Sequence, residues 1–190
     1  MLLGRSPKVI LRRLHDGDPL RLRELCERIM DEEALLLDLD RLQLRVQAHV
    51  AQAGFRYRGD PPLATFLRAQ VDRSLAELLR EDEFRDKMGL APLDPRDPTL
   101  ELITRLLGCE PSLGRAMLVT FNGLPFPQRR AFVTCVVEDV LVDDYAGTAG
   151  LSYDEVCRLL REVFSALSKV GAKKAKDGND DDGPSRGKQP

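Results

Sequence analysis

The chain has 190 residues and a formal net charge of -2, with 43% hydrophobic residues, 5% aromatic residues and no tryptophan. This is apolar material for one domain or two small ones, with a core of Leu, Val and Ala. A charge this close to balance does not mark a dedicated basic nucleic-acid module, and no run approaches the roughly 18 apolar residues of a membrane span.

Met1 to Lys8 reads as a loose arm, followed by a short helix from about Val9 to His15. Asp16-Gly17-Asp18-Pro19 breaks it. Asp18 is placed to cap the next helix, with Pro19 at the first helical position, where its missing N–H costs nothing. Leu22, Leu25, Cys26 and Ile29 recur at spacings of three and four and give that helix one apolar face. The pattern continues as helix from Asp31 to Ala53, with a bend near Asp31. Leu35, Leu39, Leu42, Val46 and Val50 fall inside, and Gly54 is the stop. Phe55 to Pro62 is a loop rich in arginine and aromatic residues. Asp60-Pro61 then opens a long helix to Met88, lined by Leu63, Phe66, Leu67, Gln70, Val71, Leu75, Leu78 and Leu79, and Gly89 ends it.

Residues 90–97 read as a Pro-rich linker. Asp97-Pro98 starts another helix, with Leu100, Ile103, Leu106 and Leu107 inside, and Pro111 starts the next, with Leu113, Met117, Leu118 and Phe121 inside. Leu124-Pro125 leads into an apolar helix from Ala131 to Val142, although the run 132–137 also fits a strand. A turn from Tyr145 to Gly150 precedes a restart at Ser152, where Ser152 and Glu155 have capping-box spacing. Two helices about a Gly-bearing turn are helix-turn-helix-like. After Val170 the chain is rich in Lys, Asp and Gly without an apolar face, which predicts disorder. The expected fold class is all-α. A helical domain occupies 1–89, a linker 90–97 and a second helical domain 98–170, followed by a disordered tail at 171–190.

Few residues offer chemistry. Cys26, Cys109, Cys135 and Cys157 lie far apart in apolar helical contexts, without a Cys-x-x-Cys pair, so they read as reduced buried thiols of a cytoplasmic protein. His15 sits beside a turn and His49 on a mostly polar helix face, neither with a partner at ligand spacing. Glu138, Asp139, Asp143 and Asp144 lack the Gly and closing Glu of a calcium loop and read as an exposed acidic face. No nucleophile motif or phosphate-cradling loop occurs. The expectation is a non-enzyme with no catalytic residue, no metal and no cofactor. The loop Phe55-Arg56-Tyr57-Arg58 is more informative. Its aromatics can stack on bases and its arginines can pair with phosphates, or the aromatics can pin the loop to the core while the arginines stay solvated.

The order of these motifs resembles an extracytoplasmic-function sigma factor over most of residues 9–160. Leu11-Arg12-Arg13-Leu14-His15-Asp16-Gly17-Asp18-Pro19, with Leu22-Arg23-Glu24-Leu25 and Glu27-Arg28, is similar to the opening of that family. Phe55 to Gly59, through Leu79-Arg80, resembles its Phe-Arg-Gly loop and promoter-melting helix, with Phe66-Leu67 where Trp-Leu is usual. Leu124-Pro125 with Arg129, then Gly150-Leu151-Ser152-Tyr153-Asp154-Glu155-Val156, resembles its C-terminal DNA-binding domain. The resemblance implies a transcription initiation factor that binds core RNA polymerase and promoter DNA and answers to a regulatory protein such as an anti-sigma factor. It implies DNA contacts by Phe55, Arg56, Tyr57, Arg58, Arg68 and Arg73 in the first domain and by Arg129, Arg158 and Arg161 in the second. It implies polymerase contacts through Leu39, Asp40, Leu42 and Val46.

The chain departs from the family in three places, one being Glu138 to Gly150, which is longer than the family's connection between its two C-terminal helices. Asp38-Leu39-Asp40-Arg41 only partly matches its acidic run. Arg158-Leu159-Leu160-Arg161-Glu162-Val163-Phe164 runs on where a turn and a recognition helix are expected. The alternative reading is a non-enzymatic interaction protein that kept the architecture and lost promoter reading.

Overall fold

The computed structural model describes residues 2–90 and 96–177, with side chains through Val170. The protein is all-helical, and no strand occurs among the described residues. The ambiguous run 132–137 is helical. Most of the expected linker, 91–95, and residues 178–190 of the expected tail lie outside the described residues. Contacts divide the chain into two compact units, Met1–Thr99 and Leu100–Pro190.

The N-terminal unit holds α1 (Pro7–Gly17), α2 (Leu22–Glu32), α3 (Leu39–Gly54) and α4 (Leu63–Lys87). The first, second and fourth all pack on α3. Residues three and four apart supply the core. Ile10 and Leu14 come from α1, Leu22, Cys26 and Ile29 from α2, Leu42, Val46 and Val50 from α3, and Phe66, Leu67, Val71, Leu75 and Leu78 from α4. Each large aliphatic buried here contributes roughly 1.5–3 kcal/mol relative to exposure. Leu63, expected on the inner stripe of α4, is instead exposed in its first turn.

Three local expectations are corrected. Asp18 does cap α2, accepting from Leu22 N–H and Arg23 N–H at 2.9 Å each, but the helix starts at Leu22, so Pro19 precedes it rather than opening it. The helix expected from Asp31 to Ala53 is broken. α2 ends at Glu32, Ala34 takes a left-handed conformation with φ of 49°, and α3 restarts behind an Asp38 cap that accepts from Asp40 N–H at 2.9 Å. Leu35, Leu36 and Leu37 are buried in the connecting loop, so their apolar character belongs to the core rather than to a helix face. The N-terminal arm is docked rather than loose. Leu2 and Leu3 pack on the core, and Gly4 N–H donates to Gly54 carbonyl at 2.8 Å. Gly54 permits this approach, since a Cβ there would stand 2.7 Å from the Leu3 side chain.

The C-terminal unit is built from α5 (Pro98–Leu107, which begins at the unit boundary), α6 (Pro111–Asn122), α7 (Phe126–Phe132), α8 (Val142–Ala149) and α9 (Tyr153–Asp177). α6, α7 and α8 pack on α9. Asp97 starts α5 by accepting from Thr99 N–H at 2.8 Å. Phe121 and Phe132 are fully buried with ring centroids 5.1 Å apart. Ala131, Tyr145, Ala146, Val156 and Leu159 form a second cluster. The apolar helix expected from Ala131 to Val142 is not one helix. It widens into a π turn at Val133–Val137, closed by Glu138 N–H donating to Val133 carbonyl at 2.9 Å, and then breaks at Asp139, whose φ is 57°. The expected turn from Tyr145 lies within helix α8, and Gly150 caps it with φ of 68°. The Ser152–Glu155 capping box is present, with Ser152 N–H donating to Glu155 at 2.8 Å and Glu155 N–H donating to Ser152 Oγ at 3.3 Å. The change of composition at Gly171 does not end α9, which reaches Asp177. Once a helix is nucleated each further residue fixed gains one hydrogen bond, unlike the first turn, and Ala and Lys are good helix formers.

Asp18 serves two helix ends. Its N–H closes α1 on Leu14 carbonyl, its carboxylate opens α2, and its own φ is 43°. Asp18→Ala loses the cap and strains the left-handed backbone, for a combined cost of about 2 kcal/mol by denaturant titration. Asp18→Gly relieves the strain and costs about half as much.

Candidate nucleic-acid interface

The residues nominated from sequence fall into two groups, those committed inside the fold and those left open. Arg68 on α4 is shared among Glu32, Glu33 and Asp72, with its Nε donating to Asp72 at 3.2 Å. Hydrogen bonding to Glu32 raises its pKa. Arg73 donates to Glu77 at 3.0 Å, and Arg158 donates to Glu162 at 2.8 Å. Arg129 reaches back across the α6–α7 turn and donates to Leu124 carbonyl at 2.6 Å, so it holds the turn closed. Arg161 donates to Cys157 carbonyl at 3.2 Å from the exposed face of α9, which it shares with Arg158 and Lys169. A carboxylate partner cancels most of the field a phosphate would feel, so Arg68, Arg73 and Arg158 are weak phosphate sites.

The loop between α3 and α4 differs. Tyr57 is pinned, its ring 4.6 Å from that of Phe66 and its hydroxyl donating to Pro61 carbonyl at 2.7 Å. The expectation that both aromatics are available for stacking is therefore corrected for Tyr57. Phe55 is 45% exposed. Arg56 is exposed, and Arg58 donates to the carbonyls of Phe55 and Tyr57 at 3.1 and 3.2 Å, which fixes its guanidinium without neutralising it. The loop thus presents one free aromatic face beside two full positive charges.

The nominated polymerase contacts divide in the same way. Leu42 and Val46 are fully buried in the core of the N-terminal unit and cannot touch a partner, because the stripe that reads as an interface is the stripe that packs α3 on its neighbours. Leu39 is half-buried. Asp40 is exposed and paired with Arg23. The apolar side chain that α3 does expose is Leu44, at 61%.

One group of residues was not read from the sequence. On α3, Arg41, Arg45 and His49 stand at four-residue spacing. Arg41 pairs with Asp82 at 2.7 Å and Glu81 at 3.3 Å, Arg45 with Glu81 at 2.8 Å and Glu77 at 3.6 Å, and His49 Nε2 lies 3.1 Å from Glu77. Burial works against the charge of Arg41, but the Asp82 bond and the neighbouring carboxylates outweigh it and its pKa is raised. His49 is buried, not on a polar face as the sequence implied, and its Nδ1 lies 3.0 Å from Ser74 Oγ. The order Ser74, His49, Glu77 has the composition of a hydrolytic triad. Ser74, however, has no exposed surface and its hydroxyl donates to Gln70 carbonyl at 2.7 Å, so no substrate reaches it. The signal for this ladder was legible in principle as cations on α3 and carboxylates Glu77 and Glu81 on α4 with one common period.

Other chemistry is sparse. Among the described residues no group of three or more His, Cys, Asp or Glu side chains is gathered to hold a metal. None of their helices is long and apolar enough to cross a membrane. The four cysteines are free. The Cys26 thiol is pushed up to about 12, by burial first and then by Asp18 and Glu27, which leaves it inert as a nucleophile near neutrality. Comparison with protein-family models, curated proteins and solved structures finds no match to the chain.

Glu77 gathers charge from three sides. The Arg73 hydrogen bond, followed by the His49, Arg73 and Arg45 charges, holds its carboxyl below the ordinary value of 4.5. The unfolded chain therefore takes up this proton first as pH falls. The stability contributed is complete above the ordinary carboxylate range and lost as pH drops through the lowered folded value. Thermal melting should fall as pH drops through the carboxylate range, and Glu77→Gln should lower the neutral melting temperature while removing part of that acid-side loss, the remainder belonging to carboxylates such as Glu83, Glu155 and Glu162.

Proposed function

We propose that the protein is a sigma-like transcription initiation factor whose nucleic-acid contact is centred on the α3–α4 loop of its N-terminal unit. The observation that carries this reading is the loop itself. Phe55 is open, and Arg56 and Arg58 keep their charge, on a unit whose neighbouring arginines Arg68 and Arg73 are neutralised by carboxylates. An aromatic face beside uncancelled guanidinium groups suits an unstacked base and its flanking phosphates, the substrate that promoter melting creates. The motif order described above supplies the sigma-like part of the proposal. On this reading core RNA polymerase is met by the outer face of α3, through Asp40 and Leu44 rather than through the buried Leu42 and Val46. The protein acts without catalysis or cofactor, in the cytoplasm, under control of a partner such as an anti-sigma factor.

A second reading is favoured by α9. This helix runs unbroken for 25 residues, from Tyr153 to Asp177, where a turn and a separate recognition helix would be needed to enter a major groove. That supports an interaction protein which kept the sigma architecture and lost duplex reading.

Two measurements separate them. Stoichiometric co-elution with core RNA polymerase of its own organism at moderate salt is expected for the first reading, and failure to co-elute favours the second. For nucleic acid, replacing Arg56 and Arg58 together by Ala is expected to lower single-strand affinity by about tenfold or more and to reduce its salt dependence. Unchanged affinity rejects the loop as the contact.

A further inference from the structure

The docked N-terminal arm lies against the same loop. Gly4 N–H donates to Gly54 carbonyl at 2.8 Å, Leu3 packs over Gly54, and the Arg58 guanidinium comes within 3.9 Å of where a side chain on Gly4 would begin. Arg5 follows immediately, and Lys8 stands in the first turn of α1. Both are exposed. Among the described residues no carboxylate is bound to Arg5, Lys8, Arg56 or Arg58, and Asp60 is the acidic group of the loop. The arm and loop, joined through the Gly4–Gly54 contact, therefore carry four cations without a carboxylate partner on segments that adjoin the exposed Phe55. Elsewhere in the unit Arg23, Arg28, Arg41, Arg45, Arg68 and Arg73 are in ion pairs, while Arg13 and Arg80 stay exposed.

We propose that the N-terminal arm forms the second wall of a single-strand-binding surface, with Arg5 and Lys8 holding phosphates on one side of a base stacked on Phe55 and Arg56 and Arg58 holding them on the other. The proposal rests on the nucleic-acid reading of the loop and extends it to a segment that the family resemblance did not include. A single strand fits better than a duplex, because an exposed ring at the centre of the cations gains from an unstacked base and gains nothing from a paired one. A nucleic acid fits better than an acidic peptide, because the peptide satisfies the cations but leaves the ring without a flat partner.

The test is fluorescence anisotropy of the full chain with a labelled single-stranded oligonucleotide of mixed sequence, repeated over a salt series. Each lost single-strand phosphate contact lowers the salt slope by about 0.7, so R5A/K8A should make the slope shallower by about 1.4 and weaken binding roughly 20-fold at about 0.1 M salt. Phe55→Ala should weaken binding with little change of slope. Arg80→Ala, which removes an exposed cation of α4, should change neither by more than about twofold. Helical circular dichroism confirms that each variant is folded. If R5A/K8A binds as wild type while R56A/R58A loses affinity, the arm is not part of the surface and the loop reading stands. If Arg80→Ala loses as much as R5A/K8A, the effect is general charge and the proposal fails. If polyglutamate competes as well as the oligonucleotide, the surface belongs to an acidic protein and the proposal fails. If wild type does not bind single strands, the loop reading falls and the arm falls with it.

Discussion

The N-terminal unit turns on a seam between α3 and α4 that is apolar on one side and ionic on the other. Leu42, Val46 and Val50 meet Phe66, Val71 and Leu78 in the core, while Arg41, Arg45 and His49 meet Glu77, Glu81 and Asp82 at the edge. Half-buried pairs of this kind add little net stability, since desolvation cancels most of the attraction, but losing one partner strands the other away from water. Their effect is on register. A slip of one turn toward the start of α4 would set His49 against Arg73 and leave Arg41 and Arg45 to share Glu77. The seam also decides what remains for function. It consumes the cations of α3, and its Glu77 also takes up Arg73, while Arg68 is held separately by Glu32 of α2. Uncancelled positive charge remains in the loop after α3 and on the arm docked against it, as well as at Arg13 on α1 and Arg80 on α4.

The helical class of the chain was legible because apolar residues recur at three and four along α2, α4, α5, α6 and α9, and because Asp18, Asp97 and Ser152 stand where helices need acceptors. What was not legible has physical causes. The break between α2 and α3 is hidden because Leu35, Leu36 and Leu37 are buried in the loop, so periodicity continues across a gap in the helix. The left-handed residues at that break and at the later one are Ala34 and Asp139, not glycines, so composition gave no warning.

The site was legible in part for a similar reason. Pairs four residues apart, such as Arg73–Glu77 and Arg158–Glu162, can be read from spacing alone, and they remove two nominated contacts. Arg68–Glu32 and Arg41–Asp82 join residues distant in sequence, and only the fold reveals that these arginines are engaged. Leu42 and Val46 show the limit of reading an interface from an apolar stripe, because the same spacing serves a core. Phe55 and Tyr57 look equivalent in sequence. One faces solvent and the other lies on Phe66, a difference set by a helix that begins several residues later.

The π turn at Val133–Val137 bears on how the C-terminal unit tolerates change. A π turn holds one residue more than the α-turn it replaces, and here it closes the helix just before the break at Asp139. Here the surplus is taken up between Phe132, locked between Phe121 and Phe164, and the reversal at Asp139. Removing one residue between Val133 and Val137 should therefore convert the π turn to an α-turn while the packing of Phe132 on one side and of α8 on the other is kept.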